Sequence, residues 1–183
     1  GRLAMGWEDY RGIGRGVAWG ELQELSHRFA NVLRARGGER GDRVAVVLHA
    51  APETAAGFFA VYKLGAILLS MSVLYGDDGI EHRLSDSGAK LLVTDPGNAP
   101  RFERPWAPDT LVLEADTFAA APTDFVCADT AADDPAQLYY TSGTTGLAKG
   151  IVHAHRYILG HEEFRYCHEV QDGERFHGMG EWA

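Results

Sequence analysis

Arg43-Val-Ala-Val-Val-Leu48 is the stretch that decides the fold, a short β-branched run followed by Pro52-Glu53 and a helical segment that reaches about Leu64. Buried strands of parallel sheets read as continuous apolar runs, and proline is favoured in the first turn of a helix. The pattern therefore predicts a buried strand followed by a crossover helix.

Further strands and helices alternate after this unit. Spacings of this length suit right-handed crossovers, which place helices over a parallel sheet. The segments are a strand from Ala66 to Met71, a helix from about Asp78 to Ser87, a strand from Lys90 to Thr94 and a strand from Leu111 to Leu113. We therefore predict an α/β fold, with a mainly parallel sheet flanked by helices.

The N-terminal part predicts a hairpin and a core-facing helix. Leu3 to Trp7 and Val17 to Trp19 are short extended segments joined by a glycine-punctuated turn. From Glu21 to Arg36 an apolar stripe recurs at steps of three and four residues, and Gly37-Gly38 ends it. We interpret the stripe as core; its members are Leu22, Leu25, Phe29, Val32 and Leu33.

Composition narrows the class of protein. The chain has 183 residues, is 45% hydrophobic and carries a net charge of −9, which predicts one globular unit. Its Lys and Arg residues are scattered, so a nucleic-acid-binding surface is not expected. Cys127 and Cys167 form no metal-binding or disulfide pattern, and no apolar run is long enough to span a membrane. A cytoplasmic location with reduced thiols is the expectation.

Both ends of the chain favour a piece of a longer protein. It begins at Gly1 without an initiator methionine and closes on the aromatic segment Glu181-Trp182-Ala183. Exposed polar tails are more usual at natural termini. Residues 1–183 are therefore expected to be one partial domain, truncated on both sides.

A loop rich in glycine and hydroxyl residues is the candidate binding site. The strand Gln137 to Tyr140 runs into Thr141-Ser-Gly-Thr-Thr-Gly-Leu-Ala-Lys-Gly150, after a connection from Ala115 to Asp134. Glycines leave backbone N–H groups free to converge on an anion, hydroxyls add donors, and a lysine adds a positive charge. The candidate phosphate-binding residues are Thr141, Ser142, Gly143, Thr144, Thr145, Gly146 and Lys149.

The spacing of this loop excludes a Walker A motif. That motif needs glycine before its lysine and serine or threonine after it, whereas Lys149 stands between Ala148 and Gly150. The dinucleotide-binding fingerprint is missing too, because Gly12, Gly14 and Gly16 alternate strictly.

The segment from Tyr140 to Gly150 instead resembles the signature loop of the adenylate-forming (AMP-binding) superfamily, which includes the acyl-CoA synthetases. Other stretches resemble the corresponding family segments, and we give them structural roles. They are Leu22-Gln23, Phe29-Ala30-Asn31, Gly41-Asp42-Arg43-Val44, Ala60 to Ala66, Ser85 to Lys90 and, more weakly, Gly178 to Trp182. One departure is Ala148, where the family usually has proline; alanine lacks the fixed φ and is expected to modify affinity rather than abolish the site.

The resemblance implies part of the large N-terminal domain of an ATP-dependent acyl-CoA synthetase. Such an enzyme joins a small carboxylic acid to ATP with Mg²⁺, releases pyrophosphate, and passes the acyl group to coenzyme A. The family's magnesium-binding glutamate, ribose aspartate, hinge and C-terminal lysine have no counterpart up to Ala183. The sequence therefore assigns no catalytic residue, and the 183 residues alone are expected not to form acyl-adenylate.

Two other functions stay open at this point, together with the oligomeric state. One is a non-catalytic nucleotide- or phosphate-binding module, and the other is an unrelated α/β scaffold whose loop is a structural turn. The resemblance also favours a short- or medium-chain acyl substrate, of the kind handled in fatty acid metabolism, over an amino acid.

Residues after the loop have simpler interpretations. A helical stretch is predicted from about Ala154 to His168. Histidines 153, 155, 161 and 168 could suggest a metal site, but no partnering Cys, Asp or Glu has ligand spacing, and we interpret them as polar residues of a cleft wall. Glu162, Glu163 and Arg165 read as a solvated helix face, and Trp182 reads as a core residue.

Overall fold

The structure is a computed structural model that describes residues 1–114, 116–141, 146–160, 166, 167, 169, 171, 173 and 174. Within them the strands are β1 (Leu3–Glu8), β2 (Gly14–Ala18), β3 (Arg43–Val47), β4 (Ile67–Ser70), β5 (Leu91–Thr94), β6 (Asp109–Val112), β7 (Pro135–Thr141) and β8 (Lys149–Ala154). The helices are α1 (Trp19–Ala35), α2 (Pro52–Leu64), α3 (Asp77–Ser87) and α4 (Tyr157–Gly160), with a 3₁₀ turn at Ala99–Phe102.

A six-stranded sheet organises the described residues, in the order β6-β5-β3-β4-β7-β8. Every neighbouring pair is parallel except β7 and β8, which are antiparallel. The predicted α/β fold with a mainly parallel sheet is confirmed. The predicted N-terminal hairpin is confirmed too, since β1 and β2 form a separate antiparallel pair.

Helices cover both faces of the sheet. On one face, α1 and α2 pack over the strands in a cluster that contains Phe29, Leu33, Val61 and Leu68. Leu22, Phe29 and Leu33 of the predicted α1 stripe are buried, and Leu25 and Val32 pack against them, so the interpretation of the stripe as core is confirmed. A second cluster on the other face contains Ile80 and Leu84 of α3 together with Leu92 and Leu138 of the strands.

The helix ends follow the sequence signals. The Glu21 carboxylate accepts a hydrogen bond from the Ala18 N–H at the start of α1. Gly65 ends α2 with φ of +73°, in the left-handed region, where glycine meets no Cβ penalty. These local signals explain why the predicted bounds of α1 and α2 agree with the observed ones within two residues.

The connection between β6 and β7 carries no helix or strand among its described residues, yet it is anchored to α1. The Asn31 amide donates to the carbonyls of Pro122 and Asp124, at 3.0 and 2.9 Å. Phe118 and Phe125 pack against the core on the same side. The segment is thus a strap across α1 rather than a free surface excursion.

One boundary predicted near the loop is wrong. The helix expected from about Ala154 does not begin there, because β8 continues through Ala154 and α4 begins at Tyr157. Pairing with β7 explains the difference, since Pro135 to Thr141 of β7 meet Lys149 to Ala154 and hold them extended. Among the described residues, no helix is long and apolar enough to cross a membrane.

Candidate functional site

The candidate loop connects two antiparallel strands at the edge of the sheet. Thr141, the last residue of β7, is paired with Lys149, the first residue of β8, and Tyr140 is paired with Gly150. A Walker A loop leads from a strand into a helix. The strand–loop–strand geometry thus agrees with the sequence argument against that motif.

The loop lies at the carboxyl end of β7, which runs parallel to β3, β4 and β5. In open α/β sheets, ligands bind in crevices outside the carboxyl ends of the strands. The position of the loop is therefore one that this architecture commonly uses for binding.

The structure describes three of the seven candidate residues. Thr141, Gly146 and Lys149 are all exposed, and a Cβ added to Gly146 would meet no atom within 4 Å. Ser142, Gly143, Thr144 and Thr145 lie outside the described residues. The Lys149 ammonium group has no ion pair or hydrogen bond with any residue in the described ranges.

Tyr62 holds β7 from the α2 face. Its hydroxyl donates to Oε1 of the buried Gln137 at 2.8 Å, and burial raises the pKa of the Tyr62 hydroxyl above its ordinary value. Next to this pair, the ring of His153 packs against Tyr139 and Tyr157, with centroid distances of 5.4 and 4.2 Å. His153 therefore belongs to an aromatic group that joins β7, β8 and α4.

Helix α3 holds the same hairpin from the opposite face. The Tyr140 hydroxyl donates to Oδ2 of Asp86 at 2.6 Å, and His82 Nε2 lies 2.8 Å from the carbonyl oxygen of Ala148. Because a carbonyl only accepts, His82 carries its proton on Nε2. Burial, with a further contribution from Asp86, raises the pKa of Tyr140, so the phenol stays protonated near neutral pH.

Gly150 makes room for the Tyr140 ring. A Cβ at position 150 would lie 3.2 Å from Cζ and 3.4 Å from the hydroxyl oxygen of Tyr140, and 3.1 Å from Leu138 Cδ1. A side chain there would push the tyrosine away from Asp86. The final glycine of the loop motif thus has a packing role that its sequence position did not indicate.

The sequence did not indicate a role at this site for His82, Asp86 and Tyr140. His82 is 66 residues from Ala148, and Asp86 is 54 residues from Tyr140. The family-like block from Ser85 to Lys90 was interpreted as purely structural, and no local pattern links it to the loop. Only the sheet topology brings α3 to the hairpin.

The structure describes two of the four histidines that could suggest a metal site. His153 and His155 are described, whereas His161 and His168 lie outside the described residues, as do Glu162, Glu163, Arg165 and Trp182. In the described part of the chain, no group of three or more His, Cys, Asp or Glu side chains could hold a metal ion.

A mainly parallel α/β sheet with an edge hairpin whose connecting loop ends at Lys149 is the arrangement expected for the adenylate-forming class. The sequence profile of the family described as AMP-binding enzyme matches residues 2–179. The chain belongs to this family.

Known relatives agree with this assignment. The chain is 29% identical over 174 residues to a 3-hydroxybenzoate–CoA ligase of Aromatoleum sp. (strain CIB), a match that covers 86% of the chain and 33% of the ligase. The fold is similar to that of an acyl-CoA synthetase of Brucella canis, with a TM-score of 0.81 and 26% identity over 89% of the chain and 32% of that protein. The fold is that of the N-terminal domain of these enzymes.

ATP-bound MatB of Rhodopseudomonas palustris is also similar, with a TM-score of 0.77 and 28% identity over 90% of the chain and 34% of MatB. The chain thus spans about a third of the length of these proteins. The third interpretation of the sequence, an unrelated scaffold with a structural turn, is wrong.

Proposed function

We propose that this chain is the nucleotide-loop portion of an ATP-dependent acyl-CoA synthetase. The observation that carries the proposal is the exposed Lys149 at the base of the edge hairpin, in a chain that matches the AMP-binding family over residues 2–179. In the proposed reaction, a carboxylate attacks the α-phosphorus of ATP and pyrophosphate leaves. The thiol of coenzyme A then attacks the acyl carbon of the acyl-adenylate, and AMP leaves as the thioester forms.

The loop has a positional and electrostatic role in this proposal. Thr141 and Lys149 are paired across the base of the hairpin, so a residue with a hydroxyl and a residue with an ammonium group stand at the two ends of the loop. With Gly146 and the four residues 142–145, they would hold the β- and γ-phosphates and offset the charge that grows on pyrophosphate. The loop supplies neither the nucleophile nor a proton.

Magnesium accompanies ATP in the proposed reaction and neutralises phosphate charge when bound. Among the described residues no cluster of His, Cys, Asp or Glu fits a metal ion. We therefore assign no step to a metal held by this part of the chain. The phosphate oxygens of ATP are the expected main ligands of the magnesium ion.

The 183 residues are proposed to be insufficient for catalysis. They span about a third of the length of the 3-hydroxybenzoate–CoA ligase. We expect carboxylate-dependent ATP–pyrophosphate exchange from the full-length protein and none from this chain. Exchange by the pure 183-residue chain would contradict this expectation.

The test of the loop's role is Lys149→Ala. A hydrogen bond to a charged group is worth about 1.5–3 kcal/mol, so the variant is expected to weaken MgATP binding about 10- to 100-fold. The matched control is Lys90→Ala, because Lys90 lies directly before β5, at the amino ends of the parallel strands and away from the loop, and is paired with Asp42. Calorimetric titration should show weaker binding for Lys149→Ala alone; equal affinities for both variants would contradict the proposal.

The substrate is proposed to be a small carboxylic acid. One similar enzyme is named for an aromatic acid and another for long-chain fatty acids. The alternative, a nucleotide-binding module without catalysis, predicts the same Lys149 effect on MgATP binding. It differs by giving no exchange in the full-length protein with any acid of a panel of aliphatic, aromatic and amino acids.

A further inference from the structure

We propose that His82 and Asp86 of α3 are positioning residues for the phosphate-binding loop. Each reaches a different strand of the hairpin, Asp86 through Tyr140 of β7 and His82 through Ala148, directly before β8. Together they fix the separation and twist of the two strand ends from which the loop projects. This inference rests on the proposed function of the loop.

Helix α3 is a rigid support for these contacts. Ile80 and Leu84 are buried in the core cluster, with 1% and 2% of their surfaces exposed. His82 and Asp86 are four residues apart and therefore lie on the same helix face. Because α3 is anchored in the core, its hydrogen bonds hold the hairpin in a fixed position relative to the core.

The contact at Ala148 compensates for a feature of this sequence. Related loops usually have a proline before the lysine, and the proline ring fixes the backbone torsion φ. Alanine at this position leaves φ free. In this chain the carbonyl of Ala148 accepts a hydrogen bond from Nε2–H of His82, which restrains the same residue from outside the loop. We infer that this hydrogen bond takes over the restraint that a proline at position 148 would give to the backbone before Lys149.

Tyr140 is held at several points. Its hydroxyl donates to Asp86, its ring lies 5.6 Å from the Arg83 guanidinium carbon, and the ring of His82 meets it edge-on at 6.0 Å. Gly150 lies opposite and leaves space for it. The same side chains of α3 thus contact both strands, so a change at either contact should reach the loop.

The experiment uses His82→Leu, which removes the donor, and His82→Gln, which keeps an N–H donor. Hydrogen exchange of the amides at 147–150 is measured without nucleotide in the 183-residue chain, and KM for ATP and kcat are measured by pyrophosphate exchange in the full-length protein. A neutral hydrogen bond corresponds to about a 3- to 10-fold effect. We expect His82→Leu to speed exchange and raise KM by that factor, with a smaller change in kcat, and His82→Gln to recover most of both.

The second step adds Ala148→Pro to His82→Leu. Because proline restores the fixed φ, KM for ATP should return to within about twofold of the original protein. The Ala148 N–H donates to no acceptor in the described part of the chain, so the substitution breaks no known hydrogen bond. Because proline can itself stabilise the folded protein, urea unfolding of the same variants is measured alongside. A recovery of KM that exceeds the recovery of the unfolding free energy shows that His82 acts on the loop.

Several outcomes would overturn the proposal. These are unchanged exchange and KM in His82→Leu, faster exchange with unchanged KM, or a loss that neither His82→Gln nor Ala148→Pro recovers. Lys149→Ala in the same assay separates this inference from the proposed function. If Lys149→Ala raises KM and His82→Leu does not, only the positioning role fails; if Lys149→Ala has no effect, the proposed function fails and the positioning role falls with it.

Discussion

Strands β3 and β8 belong to one sheet but have opposite surroundings. In β3, at the centre, four of five residues are buried, whereas in β8, at the edge, four of six are exposed. Helices α1, α2 and α3 pack on the two faces of the central strand, so its side chains must fit against theirs. Most side chains of the edge strand are exposed and can be polar, and Lys149 is one of them.

The comparison teaches that stability and binding depend on different strands. Substitutions under the helices should change the free energy of unfolding and leave ligand affinity of the folded protein unchanged. Substitutions at the edge hairpin should do the reverse. The following predictions test that separation, beginning with the largest expected effect.

Leu92→Ala should have the largest effect on stability. Leu92 of β5 is fully buried beside β3, and truncation of such a leucine costs about 2–5 kcal/mol in the free energy of unfolding. Val152→Ala on β8 is the control, since Val152 is 59% exposed and the cost should be below about 0.5 kcal/mol. Urea unfolding measures both, and equal losses would remove the distinction between centre and edge.

Gly57→Val tests the packing of α2 on α1. A Cβ at position 57 would lie 2.8 Å from Cε1 of the fully buried Phe29, so the ring or the helix must shift. Overpacking of this kind costs about 1–3 kcal/mol. Gly20→Ala in α1 is the control, because its Cβ meets no atom within 4 Å and alanine favours helix by up to about 1 kcal/mol. Thermal unfolding should therefore move in opposite directions for the two variants.

Tyr62→Phe tests the link between the covered region and the edge hairpin. Loss of the Tyr62 hydroxyl leaves Oε1 of the buried Gln137 without its donor. This should lower the free energy of unfolding by about 1–3 kcal/mol near neutral pH. Because the pKa of Tyr62 is raised in the folded state, its contribution is fully present below about pH 10 and is lost as the pH rises further, when the unfolded state ionises first. The difference in unfolding free energy between the original protein and Tyr62→Phe should therefore shrink from pH 9 to pH 11. A difference that grows would contradict the assignment.

Asp109→Asn should have the smallest effect. Asp109 begins β6, at the other edge of the sheet, and its carboxylate pairs with Arg36 at 2.9 Å while both side chains remain well exposed. Exposed pairs contribute about 0–1 kcal/mol, and salt screens them. The loss measured by urea unfolding should be below about 1 kcal/mol and should fade in 1 M salt. A loss of 2 kcal/mol or more would show that this edge resembles the packed centre.

The sequence predicted most of the fold because its elements have strong local signals. The run from Val44 to Leu48 is apolar throughout, Pro52 begins α2, and Gly65 ends it in the left-handed region. The predicted start of a helix at Ala154 was wrong because the local signals there are weak. Nothing local in Ile151-Val152-His153-Ala154 shows that β7 pairs with it and extends the strand through Ala154.

The candidate site was predicted in part. The order of residues from Thr141 to Gly150 indicates phosphate-binding chemistry, because glycines, hydroxyls and a lysine adjacent in sequence must also be adjacent in space. The roles of the seven candidate residues remain predictions, to be tested first at Lys149. His82 and Asp86 could not be found in this way, because no pattern in the sequence around them indicates a contact with the loop.

By itself, the sequence determined the alternation of strands and helices, the core stripe of α1 and the set of residue types in the loop. Each of these depends on residues within one or two turns or one strand of each other. The tertiary structure alone decided that the loop connects two antiparallel strands at the edge of the sheet and that α3 contacts β7 and the residue before β8. Those contacts join residues more than fifty positions apart, and they exist only because parallel crossovers bring α3 beside β7 and β8.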